Sequence, residues 1–266
     1  MKPENQRAEQ SYYEEILGIF KEFVFGKQIN NEEFLEQYAA QAAYRMVVGR
    51  LQSTARSWRQ AAHQNMQGAV IYAALQNELK GPVGVRVREL IQQNSLLIRS
   101  LPREVASRAA AHIASQAQEG KRATASIPGL LAHVARYRAR LIARTETSKA
   151  TTALTQARSE ELGLEWYMWR TSKDARVRLS HRKMDTVLFR WNDPPSPEKL
   201  VGEHSTLGKY NAGNAPNCRC YPEPLLRLNQ VVWPHRVFYG GVIRPMTLGS
   251  FRQLNHLSTS ELGIAA

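Results

Sequence analysis

The stretch SEELGLEWYMWRT, Ser159 to Thr171, holds the change of texture that decides the fold. Up to Leu162 the residues are helix formers, and Gly163 supplies a stop. From Glu165 the chain alternates and turns aromatic, with Trp166, Tyr167 and Trp169, as a half-buried strand requires. The expected fold class is therefore α+β: a predominantly helical N-terminal two-thirds followed by a small β-containing module.

Working upstream, Tyr12, Ile16, Ile19, Phe20 and Phe23 recur at helical spacing, and Gly26 with the Asn30-Asn31 pair offers a stop and a new N-cap ahead of Glu33. One long helix is expected from Phe34 through Tyr38, Met46 and Leu51 to Leu79, closed by Gly81-Pro82. Val83 to Arg99 reads as a short helix, and Ser100 with Pro102 marks the entrance to another that runs to about Gln118 and stops at Gly120. Ile127-Pro128-Gly129 then opens the last long helix, Leu130 to Leu162.

Downstream, Thr186 to Trp191 is a second strand-like run. The Asp-, Pro-, Gly-, Asn- and Ser-rich segment between Trp191 and Cys218 is longer than compact domains leave without structure unless it is functional or mobile. Val231 to Met246 (VVWPHRVFYGGVIRPM) has strand-like runs broken by Pro234, Gly240-Gly241 and Pro245, and the polar end from about Ser250 reads as frayed.

Composition narrows the class. Of 266 residues, 36 are Lys or Arg and 23 are Asp or Glu, a formal net charge of +13, while 43% hydrophobic residues suffice to bury a core and exclude a disordered basic tail. No apolar run nears the ~18 residues of a membrane span. The opening MKPENQRAEQ is polar where a cleaved signal would be apolar, so a soluble chain without such a signal is expected. Two cysteines, Cys218 and Cys220, cannot staple a small secreted domain, and a reducing compartment is the natural expectation. The positive surplus attracts polyanions. Its residues are spread along the chain, as at Arg86, Arg88, Arg99, Arg103 and Arg108, so a solvated helical surface and a nucleic-acid face both stay open.

Three clusters could carry chemistry. On the helix RYRARLIARTETSKA, Arg136, Arg140 and Arg144 share one face while Val134, Tyr137, Leu141, Ile142 and Thr145 line the other. Arg144 and Glu146 stand near the boundary, where they could tie this helix to the β unit or remain solvated charges. The run WRTSKDARVRLSHRKMD gathers Asp174, Arg176, Arg178, His181 and Asp185 into one loop, either a catalytic or metal constellation or a hydrogen-bonded polar plug. There is no Gly-rich phosphate loop, GxSxG elbow or HExxH, so an enzyme is not expected.

In Asn217-Cys218-Arg219-Cys220 the two thiols are i and i+2. On an extended segment such positions face the same side about 6.6 Å apart, at the far edge of disulfide reach. Shared ligation of zinc is easier, with His181 as the first further ligand and His204 or Asp185 next. The alternative is a pair of small buried thiols packing a hairpin.

In order and approximate spacing these pieces resemble one family, the phage head morphogenesis or Mu F-like minor head proteins. The matching residues are the helix end Leu141-Ile142-Ala143-Arg144-Thr145-Glu146-Thr147, Trp169-x-Thr171, Asp174-x-Arg176-Val177-Arg178, His181, Met184-Asp185, Phe189-x-Trp191 with Asp193-Pro194-Pro195, and Asn217-Cys218-Arg219-Cys220. Asn94 to Gly120 looks like the family's lead-in helices. The resulting division is an N-terminal helical region 1–92, a Mu F-like domain 93–224 (helices 93–163, β module 164–224) and a C-terminal extension 225–266.

The resemblance implies a minor head protein of a phage or prophage, acting in virion assembly beside the portal and capsid proteins, located in the host cytoplasm during assembly and then in the head. It implies no catalysis, and a structural role for Arg144, Glu146, Trp169, Asp174, Arg176, His181, Asp185 and Arg219 in joining helix and β module. Many relatives carry Cys-x-x-Cys where Arg178 and His181 stand, so a four-thiolate zinc site is ruled out here and His181, Cys218 and Cys220 are what is left as ligands. A glycine that often follows the equivalent of Asp185 is Thr186. Two rival functions are a double-stranded-DNA-binding protein packaged or injected with the genome, and, behind it, a metal-dependent nuclease or hydrolase built on His181, Asp185 and the cysteines.

Overall fold

The computed structural model describes residues 3–63, 68–119 and 127–255. Five helices come first: α1 (Pro3–Phe25), α2 (Glu32–His63), α3 (Gly68–Asn77), α4 (Pro82–Gln118) and α5 (Ile127–Glu161). Asn31 caps α2, its Oδ1 accepting the Phe34 N–H at 3.0 Å, and Asn30 takes the left-handed φ of 55° that ends the preceding turn. Among the described residues no helix is long and apolar enough to cross a membrane.

Two helix boundaries differ from expectation. The single helix expected from Phe34 to Leu79 is α2 and α3, followed by a 3₁₀ turn over Glu78–Lys80. Conversely, the break expected at Ser100-Pro102 does not occur, and α4 runs straight through Pro102. Ile98, Leu101 and Val105 on either side of the proline are all buried in the helical core, and this burial outweighs the one backbone bond that proline removes. The expected stop at Gly120 lies outside the described residues.

Helix α5 is the hub, packing on α1, α2 and α4. Its buried Ala135, Ala139, Ala143, Ala150 and Ala157 let neighbouring helices approach closely, while Ile142 and Leu154 fill the gaps beside Ile16, Phe20, Val47 and Val83. Polar links cross this core. Tyr12 Oη on α1 donates to Asn94 Oδ1 on α4 (3.0 Å), and Asn94 Nδ2 donates back to Leu90 O (2.8 Å). Arg158 on α5 is fully buried: its Nε and Nη2 donate to the two carboxylate oxygens of Glu78 (2.6 and 3.1 Å), Nη2 also reaches Leu51 O (3.1 Å), and Nη1 reaches Thr54 Oγ1.

Helix α5 ends in a Schellman turn. Gly163 (φ 68°) lets the Leu164 N–H reach Ser159 O at 2.7 Å and its own N–H reach Glu160 O at 3.1 Å. The chain then enters β1 (Trp166–Arg170), helix α6 (Leu179–Met184), β2 (Leu188–Arg190), the single turn α7 (Pro197–Leu200), β3 (Tyr221–Pro224), β4 (His235–Tyr239), β5 (Val242–Met246) and α8 (Leu248–Leu254). These strands form one five-stranded sheet in the order β3-β1-β2-β4-β5, antiparallel except for the parallel β2–β4 pair.

Strand β1 is buried on both faces. Trp166 and Met168 point to a cluster with Leu188, Val237 and Phe251, whereas Tyr167 and Trp169 point to the opposite cluster with Phe189, Trp191, Cys218 and Cys220. The end that reads as frayed from Ser250 is instead helical to Leu254, because Phe251 is buried against the Trp166 ring, with centroids 4.9 Å apart; the remainder of that expectation lies outside the described residues. The long segment after Trp191 covers the second face of the sheet, burying Tyr210, Asn211, Ala212 and Ala215.

Candidate metal and anion site

The second face of the sheet brings His181, Cys218 and Cys220 together. All three are buried, and their ligating atoms lie within 4.8 Å of one another. Helix α6 presents His181; the segment leading into β3 presents the cysteines, both free thiols. His181 Nδ1 is 3.5 Å from Cys218 Sγ and 3.4 Å from Cys220 Sγ. Nitrogen and sulfur ligands on one tetrahedral zinc stand about 3.6 Å apart, from bond lengths near 2.0 and 2.3 Å. Both nitrogen–sulfur separations therefore suit one such ion.

The tautomer of His181 follows from its other neighbour. Tyr210 Oη donates to the Glu198 carboxylate (2.7 and 2.8 Å), so its lone pair accepts the His181 Nε2 proton at 2.9 Å. Nδ1 is then left bare toward the sulfurs, an orientation set by a carboxylate through a hydroxyl. Trp169 stacks edge-on against the imidazole (centroids 5.4 Å, 76° between planes) and walls the site from the sheet.

The neighbouring Cys220 side chain, against the cost of burial, draws the Cys218 thiol below its usual range. The Cys218 side chain and burial in turn push the Cys220 thiol up. The Cys220 backbone N–H also points at Cys218 Sγ, 3.3 Å away.

His204 is exposed and Asp185 is occupied elsewhere, its Oδ1 accepting the Thr171 N–H at 2.8 Å, so neither joins the three donors. Asp174 stays in the turn after β1: Oδ1 accepts the Arg176 N–H (2.9 Å) and Oδ2 faces the Ser172 hydroxyl (3.0 Å) and Arg219 Nη1 (3.4 Å). Arg144 faces Glu9 of α1 at 3.6 Å. Glu146 is buried and takes Lys149 Nζ on its own helix at 2.8 Å.

Two threonines of α5, Thr145 and Thr152, bond directly to the β module. Thr145 Oγ1 accepts the Asn217 N–H at 3.1 Å, and Thr152 donates to Ala212 O at 2.7 Å. Gly213 (φ 93°) belongs to the same joint, for a Cβ there would stand 2.4 Å from Thr152 Oγ1 and 3.0 Å from Cys220 O. Tyr210 and Glu198 were passed over in the sequence reading; the one available signal was a lone aromatic, Tyr210, in the polar run LGKYNAGN.

The three donors open onto a cavity of about 130 Å³ that they line together with Arg144, Arg176, Arg178, Arg219 and Asp174. Arg178 is braced by donating to Pro216 O at 2.8 Å.

With the geometry in hand, residues 104–222 match the family model described as Phage Mu protein F like protein, a span that contains every residue of this site. An uncharacterised protein of Haemophilus influenzae is 40% identical over 95 residues, covering 36% of this chain; the chain spans about a fifth, 19%, of that relative's length. No solved structure gives a significant match. Residues 104–222, from the second half of α4 to the start of β3, are thus similar to Phage Mu protein F like protein, over a little less than half of the chain.

Proposed function

We propose that this chain is a phage or prophage minor head protein, acting in head assembly in contact with the portal and capsid proteins and carried in the virion head. The family match over residues 104–222 carries this reading. The arrangement of the motif residues supports it, because Asp174, Asp185 and Trp169 are spent on holding the turn after β1 and the wall of the His181 pocket. The protein acts by assembly and not by turnover on this reading.

We also propose that His181, Cys218 and Cys220 hold one zinc ion, which when bound supplies a cross-link between α6 and the segment entering β3. The donor set supports it: one bare imidazole nitrogen and two sulfurs, one of them already favoured as thiolate.

The deciding experiment for the head role is to induce the source strain, purify intact particles and quantify this chain by mass spectrometry against portal and major capsid proteins. A few copies per head are expected. Absence from finished heads of a chain that is expressed overturns virion membership.

The net charge of +13 favours, as a second reading, contact with packaged double-stranded DNA. Affinity should then fall with salt at a log–log slope of about −0.9 per phosphate contacted. Binding that is absent or insensitive to salt removes it.

A further inference from the structure

The geometry of the four arginines beside His181 points to a binding site for a single phosphoryl group, which we propose as a ligand site of this protein. The site goes beyond the head role and does not depend on it. Arg144 comes from α5, Arg176 and Arg178 from the turn before α6, and Arg219 from between the two cysteines, so four arginines line the cavity from three segments far apart in sequence. Like charges repel, and a fold that collects four of them on one cavity has a stable arrangement only with counter-charge between them.

The protein's own carboxylates supply only part of it, Glu9 facing Arg144 and Asp174 facing Arg219. Asp174 is the one acidic residue lining the cavity, and its oxygens are taken by Arg176 N–H, the Ser172 hydroxyl and Arg219. Glu9 approaches Arg144 from outside at 3.6 Å. No carboxylate of the described residues pairs with Arg176 or Arg178. The Nε of Arg219 is buried without an acceptor, which a bound oxyanion would provide, whereas that of Arg144 faces Glu9 Oε2. Burial, and next the Arg219 charge, draw the Arg144 pKa down, the sign expected where cations outnumber anions.

Size and shape select the ligand class. The cavity of about 130 Å³ is well below what a drug-sized or nucleotide-sized ligand occupies, so it takes one small group. A carboxylate offers two oxygens in a plane and satisfies one arginine fork. A tetrahedral phosphoryl group offers oxygens in three directions, matching forks that arrive from three segments. The phosphoryl group can be free phosphate or part of a nucleic-acid backbone, and both present the same oxygens to the cavity.

The test titrates the full chain with inorganic phosphate by calorimetry at constant ionic strength, chloride replacing phosphate in the reference. Arg176→Gln and Arg178→Gln are the variants, since both side chains are exposed, with circular dichroism checking that each folds; Arg86→Gln on the exposed face of α4 is the control. Saturable binding of one phosphate per chain is expected, weakened about tenfold or more by each cavity variant and unchanged by the control. No saturable binding, or equal weakening by the control, overturns the site. A second titration adds a short single-stranded DNA without terminal phosphates. Competition assigns the group to a nucleic-acid backbone, and its absence alongside phosphate binding assigns it to a free phosphoryl group.

Discussion

Truncating Glu78 to alanine should destabilise the protein more than any other single carboxylate removal in the helical region. Glu78 and Arg158 are 8% and 2% exposed, and the guanidinium makes two charge-assisted bonds to that carboxylate, with Thr54 Oγ1 and Leu51 O completing its partners. In E78A the arginine keeps its two neutral acceptors and loses the carboxylate it pairs with. A buried cation stripped of its partner costs about 3–5 kcal/mol. At about 2–4 °C per kcal/mol for a chain of this size, the melting temperature should fall by about 6–20 °C.

Urea denaturation followed by circular dichroism measures the free energy, with E89A as reference because Glu89 pairs with Arg86 at the surface (2.8 Å, both about half exposed) and should cost under about 1 kcal/mol. Replacing both partners, as E78L/R158M, should recover much of the loss, since the desolvation of both charges disappears with the pair. An E78A loss no greater than that of E89A would refute the reasoning. Because Glu78 precedes α4 and Arg158 ends α5, this result also reports how strongly the chain upstream of the family-matched segment is locked to it.

Three further outcomes are expected. Thr152→Val keeps the shape but leaves Ala212 C=O buried without its donor, a loss of about 1–3 kcal/mol in urea denaturation; G213A, forced into a left-handed φ against Thr152 Oγ1, should cost at least as much, and a neutral result for both removes this joint from the account. Asp174 is pulled upward by partial burial, but the Arg176 N–H, the Ser172 hydroxyl and Arg219 outweigh it and hold its pKa below the usual 3.8. A depressed carboxylate stabilises the folded state above its unfolded pKa and loses that contribution as pH falls through the folded value. The stability gap between wild type and D174N should therefore be flat from pH 7 to 5 and close only below about 3.8, and a gap that widens on acidification contradicts it. Finally, cobalt or zinc should bind one ion per chain with loss of binding in C218S and H181A, weakening as pH drops because protons compete for the sulfurs; metal content unchanged in both variants would sink the ligand assignment.

The helix-to-strand change at Gly163 was legible because two periodicities meet at one glycine, and local backbone preference suffices to read both. The break expected at Pro102 was misread for the complementary reason. Whether a proline ends a helix depends on what its neighbours bury, and Ile98, Leu101 and Val105 face a core built from α1, α2 and α5. Similarly, Phe251 in a polar tail gives no local sign that Trp166, 85 residues earlier, supplies its contact.

For the site, residue types announced the chemistry while partners stayed hidden. Two cysteines at i and i+2 suggest ligation on any extended segment, and His181 is the histidine in the densest polar loop. That Tyr210 and Glu198 orient its ring, and that Thr145 and Thr152 join the helix to the sheet in place of Glu146, depends on a loop between Trp191 and Cys218 whose path no spacing rule specifies.

The sequence by itself determined the α+β class, the boundary at Gly163 and the ordered motif set that resembles the Mu F-like proteins, since these rest on short-range periodicity and residue chemistry. Only the tertiary structure decided the order β3-β1-β2-β4-β5, the meeting of His181 with the two sulfurs and the convergence of four arginines on one cavity. Those are juxtapositions of segments tens of residues apart, set by which faces the helices and sheet bury together, and burial is a property of the packed whole.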